Sequence, residues 1–88
     1  MKMGVRLEKP WLALDPELVA RLPGQLGVFQ LANEHHEVVY IGFAGGLSLF
    51  GLKGELANWL GRWPFFRVEV NTAYRTRCRE LLMVHFSD

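Results

Sequence analysis

The sequence predicts an α+β domain, a three-stranded, mostly antiparallel sheet flanked by helices. Three observations carry this. Residues 26–32 and 37–42 are two apolar, β-rich runs around the polar stretch "NEHH". "FFRVEV" at 65–70 alternates with period two. Segments with helix caps or helical spacing lie before, between and after these runs. A hairpin plus one further strand gives the sheet, and the helices cover it.

The elements follow in order. "LDPELVARLPG" reads as a short helix, with Asp15 as N-cap, Pro16 at the first helical position and Glu17 at the positive helix end. Pro23 and Gly24 stop it. "LGVFQLA" is the first long strand, and alternation puts Gly27, Phe29 and Leu31 on one face. "EVVYIG" returns, with Val38 and Tyr40 expected on one face and Val39 and Ile41 on the other. "FAGGLSLFGLKGELANWLGR" starts as a glycine-rich loop. It becomes a helix near Leu52, because Leu52, Leu56, Trp59 and Leu60 have helical spacing, and Gly61 and Pro64 close it. In the third strand Phe66, Val68 and Val70 share a face opposite Arg67 and Glu69. "AYRTRCRELLMVHF" is a helix whose apolar stripe holds Tyr74, Cys78, Leu81, Leu82 and His85.

A length of 88 residues with half of them hydrophobic suits one globular domain over 1–88, opening with a helical extension over 1–23. No apolar run reaches the roughly 18–20 residues that cross a bilayer, so no membrane partner is expected. Glu8, Asp15 and Glu17 interrupt any signal-peptide pattern. The single cysteine, Cys78, has no internal disulfide partner, and a reducing, cytoplasmic setting is the simplest reading. Residues 1–44 carry four cations against five anions, and residues 45–88 carry six against four. Arg75, Arg77 and Arg79 form the one basic concentration, which suits a solvated helix face or a nucleic-acid contact. With three tryptophans and six phenylalanines in so small a chain, some aromatics are expected at the surface. A self-associating patch around Trp59 or Trp63 follows, and with it a homo-oligomer.

"GVF" at 27–29, ten intervening residues, then "YIG" at 40–42, resembles the GIY-YIG endonuclease superfamily. The likeness extends over residues 24–86 through the order of elements, and "YIGFAGGLSLFGLKGEL" looks like small stand-alone bacterial members. The resemblance implies DNA or RNA as partner and phosphodiester cleavage with Mg²⁺. Within it, Tyr40 matches the tyrosine near the attacking water, and Glu80 in "RELLM" matches the helical glutamate that holds the metal. The family's first tyrosine is replaced by Phe29. Its arginine falls on Phe50 without a gap, on Lys53 with a short insertion, or on Glu55 with a longer one. Lys53 is the cationic choice among these, without arginine's planar fork. The catalytic set implied is thus Tyr40, Lys53 and Glu80, with Gly42, Arg75 and Arg79 on the substrate.

The residues also support plainer readings. Tyr40 suits an amphipathic aromatic at a sheet rim. Glu80 suits a helix-surface partner of Arg77, three residues away. Gly42, Gly45 and Gly46 either let a backbone approach a phosphate or turn the chain after a strand. "EHHE" at 34–37 lacks helical zinc-ligand spacing and reads as a solvated turn. Cys78 and His85 are two helical turns apart, about 10.5 Å along the axis, too far to act as nucleophile and base. The alternative to a nuclease is a domain of this fold acting as a non-enzymatic module that binds protein or nucleic acid.

Overall fold

The computed structural model describes residues 6–86. It is α+β, with elements β1 (Leu12–Ala13), α1 (Pro16–Ala20), β2 (Gly27–Ala32), β3 (Val38–Ala44), α2 (Gly51–Ala57), β4 (Phe65–Val70) and α3 (Tyr74–Phe86). The sheet is antiparallel throughout, in the order β1-β4-β2-β3. The expected three strands are present, and the two-residue β1 adds a fourth by pairing Leu12 with Phe66.

Local chemistry explains the boundaries. Asp15 caps α1 by accepting a bond from the Leu18 N–H at 2.9 Å, with Pro16 behind it. The hairpin turn closes on Asn33, whose Oδ1 accepts from the N–H groups of His35 and Glu37 at 2.9 and 3.0 Å. The His36 ring packs edge-on against Phe65 at 4.6 Å. Helix α2 is shorter than its apolar spacing suggests. It ends at Ala57, and turns carry Trp59 and Leu60 onto the core.

Strand β2 is central and buried at all six positions. One of its faces carries Phe29 and Leu31. With Phe66 and Ala44 they pack against Val19 of α1 and Leu52 and Leu56 of α2. The other carries Val28, which with Ile41 packs under Cys78 and Leu81 of α3 and against Leu7. Helices therefore cover both faces.

Two expectations about faces are corrected. Leu31 pairs with Tyr40 but Ala32 pairs with Val38, so Val39 is a bulged extra residue. The bulge breaks the alternation. Val38 joins Ile41 under α3, while Val39 and Tyr40 turn toward α2. On α3, Leu82 leaves the apolar stripe and is 40% exposed. Trp59 and Trp63 do not form an exposed patch either. Both pack against the α2-side core, and the exposed apolar side chains include Leu47, Leu49, Phe50, Met83 and Phe86.

Candidate functional site

Tyr40 stands on the α2 face, its ring 4.6 Å from that of Trp59 and 5.9 Å from that of Phe29. The two motif strands do bring Phe29 and Tyr40 together, as diagonal neighbours: Phe29 pairs with Gly42, and Tyr40 with Leu31. Gly42 is buried under both rings. A Cβ there would lie 2.7 Å from Phe29 Cζ and 2.9 Å from Tyr40 Cε2, so a side chain would displace the aromatic pair. Gly42 thus has a packing role, and its backbone is covered rather than offered to a ligand. Lys53 is exposed on α2.

Glu80 lies on α3, which packs on the other face of the sheet. The sheet therefore separates Glu80 from Tyr40. Glu80 is half-exposed, and its Oε1 accepts from Arg77 Nη1 at 3.2 Å. Among the described residues no three His, Cys, Asp or Glu side chains gather as a metal site. Mg²⁺ prefers carboxylate and water oxygens in octahedral array. A lone carboxylate already held by a guanidinium does not suit that demand.

Arg77 is not part of a solvated basic face. It is buried beneath α3, where Nε donates to Glu69 Oε2 at 2.9 Å and Nη2 donates to the Arg6 carbonyl at 3.1 Å. Burial alone would raise the Glu69 pKa. Hydrogen bonds from Arg77 and Asn71 outweigh it and hold the carboxyl below its ordinary range.

Arg75 and Arg79, one turn apart on α3, do meet. They line a groove of about 290 Å³ with Phe43, Cys78 and Leu82. Burial pushes the Cys78 thiol up, which suits packing and not nucleophilic attack. A second groove of about 440 Å³ shares Phe43 and Arg75 and continues over Gly45, Gly46, Ser48 and Tyr74. Phe43 stacks on Tyr74 at 5.3 Å, and the Arg75 guanidinium sits 6.0 Å from the Phe43 ring centroid. The Gly46 N–H donates to the Tyr74 hydroxyl at 3.2 Å. That bond, with a second from the Arg75 side chain, lowers the Tyr74 pKa. Gly45 leaves room for the phenol, since a Cβ there would lie 2.8 Å from Tyr74 Cε1. The loop is tied down below: the Gly45 N–H donates to Ser48 Oγ at 3.0 Å, and Ser48 Oγ donates to Glu55 Oε2 at 2.8 Å.

Arg75 and Arg79, singled out in the sequence, line this groove, and Phe43 and Tyr74, which make it with them, were not singled out. Phe43 directly follows the YIG tripeptide and Tyr74 opens α3, so each reads locally as an ordinary strand or helix aromatic.

Fold and groove together define a small antiparallel α+β sandwich with an aromatic and cationic cleft at one end of β3. The chain belongs to the DUF7508 family, described as a domain of unknown function, whose model matches residues 5–88. No curated protein and no solved structure matches it. Among the described residues no helix is long and apolar enough to cross a membrane.

Proposed function

We propose that this domain is a non-enzymatic binding module for single-stranded nucleic acid, taken along the groove of Phe43, Tyr74, Arg75 and Arg79. The observation that supports it is the stacked Phe43–Tyr74 pair with Arg75 over Phe43 and Arg79 one turn further on. Exposed aromatic rings accept unstacked bases, and neighbouring arginines neutralise the phosphates between them. Phe43 is 39% exposed, enough to offer ring surface to a base.

A second reading is phosphodiester cleavage of the GIY-YIG type. It is favoured by the ring contact between Phe29 and Tyr40 on the two motif strands. The separation of Tyr40 from Glu80 by the sheet, and the Arg77 partner of Glu80, weigh against it.

The deciding experiment is fluorescence anisotropy of labelled single-stranded DNA, single-stranded RNA and duplex DNA across a salt series. Single strands should bind with an affinity that falls as salt rises. Arg75→Ala with Arg79→Ala should reduce the salt slope by about two counterions. Absence of binding to all three probes, or binding that ignores this double substitution, overturns the proposal.

A further inference from the structure

We propose that strand β3 is an interface, and that its occupant is the β3 strand of a second copy of this chain, paired antiparallel about a two-fold axis near Ile41. The two edges of the sheet differ. The β1 edge is two residues long, and Lys9-Pro10 and Asp15-Pro16 flank it within a few residues. Charges and prolines of this kind keep an edge from recruiting another strand. The β3 edge runs for seven residues, "VVYIGFA", with no charge and no proline. Among the described residues β3 pairs with β2 alone, so alternate N–H and C=O groups along its outer side face away from the sheet. Its bulge at Val39 is near one end and leaves Tyr40–Ala44 regular.

A second copy fits this edge for reasons of charge as well as pattern. The turn entering β3 carries Glu34 and Glu37, both exposed. The other end of β3 lies beside Arg75, which sits over Phe43, with Arg79 a turn away. Antiparallel pairing sets the acidic end of one copy beside the basic end of the other, twice over, as an isologous contact requires. The strand itself has no charge to meet its like. Tyr40, 40% exposed on the α2 face of the sheet, extends the contact on that side.

The test is sedimentation velocity of the 88-residue chain over a wide concentration range, with hydrogen exchange of the β3 amides at each end of it. A dimer is expected, with outward β3 amides that become protected as concentration rises. Tyr40→Lys, which places a charge on the edge, should abolish the dimer peak. Glu34→Arg with Glu37→Arg, changes confined to the exposed turn, should weaken dimerisation, and adding Arg75→Glu and Arg79→Glu should restore it. Circular dichroism checks that each variant is folded. A monomer at every concentration overturns the proposal. So does a dimer whose β3 amides exchange freely, since the contact then lies elsewhere, or a β3 edge that only an added extended peptide protects.

Discussion

Arg77 Nε lies 2.9 Å from Glu69 Oε2, and the pair joins helix α3 to strand β4 beneath the helix. The arginine side chain is 9% exposed and the glutamate 23%. The same guanidinium reaches the Arg6 carbonyl, 71 residues away in sequence, and so also holds the N-terminal segment. Its bonds to Glu69 and Glu80 raise its own pKa against the opposing effect of burial.

Removing one partner of such a pair leaves a poorly solvated charge behind. Arg77→Leu should cost about 3–4 kcal/mol of stability, measured by urea unfolding. Arg79→Ala, on the exposed side of α3, should stay within about 0.5 kcal/mol. Equal effects from the two substitutions would remove Arg77 from its structural role.

Acid should destabilise the domain in two steps. Burial, with the charges of Arg6 and Arg67, lowers the His85 pKa. A histidine depressed in the folded state binds its proton more readily when unfolded. Its contribution is therefore intact above an unfolded value of about 6.5 and declines as pH falls toward the folded value. Glu69 is also depressed, so its contribution is present above an unfolded value of about 4.3 and is lost as pH falls through the folded one. Urea midpoints measured against pH should show both declines. His85→Gln should remove only the first, and Glu69→Gln only the second.

The Tyr74 phenol should ionise below the ordinary tyrosine range, because the Gly46 N–H and the Arg75 side chain both favour the phenolate. The chain has two tyrosines, so the absorbance of tyrosinate during an alkaline titration can be assigned by substitution. Tyr74→Phe should delete the early step. Arg75→Ala should shift that step upward without deleting it.

Gly42→Ala should destabilise the domain by about 1–3 kcal/mol, since the new methyl must displace the rings of Phe29 and Tyr40. Gly46→Ala is the comparison. A Cβ there meets nothing closer than the Tyr74 hydroxyl at 4.0 Å, so thermal unfolding should change much less.

With Mg²⁺ or Mn²⁺ the purified chain should bind single strands and leave them uncut. Phe43→Leu should weaken binding by about 1–3 kcal/mol through lost base stacking. Cleavage that disappears in Glu80→Ala and in Tyr40→Phe, while binding persists, would instead establish the nuclease reading.

The sequence by itself determined most of the elements, though not the short strand β1, because their signals are local. The Asp15-Pro16 cap, the Asn33 turn and the period-two runs act over two to five residues, and α1, the hairpin, β4 and α3 all form where they point. The contact of Phe29 with Tyr40 is not of this kind, since it needs the bulge that sets Tyr40 opposite Leu31 and diagonal to Phe29. Tertiary structure decided the rest. The bulge at Val39 depends on how β2 and β3 settle against two cores at once, and it alone turns Val39 and Tyr40 to the α2 face. Arg77 looks like its neighbours Arg75 and Arg79 until Glu69 and the Arg6 carbonyl arrive from distant segments to bury it. The groove of Phe43 and Tyr74, and the sheet that stands between Tyr40 and Glu80, exist only once α2 and α3 have packed on opposite faces. Side-chain period shows that a helix has a buried face, but the choice of sheet face is set by contacts between residues far apart in the chain.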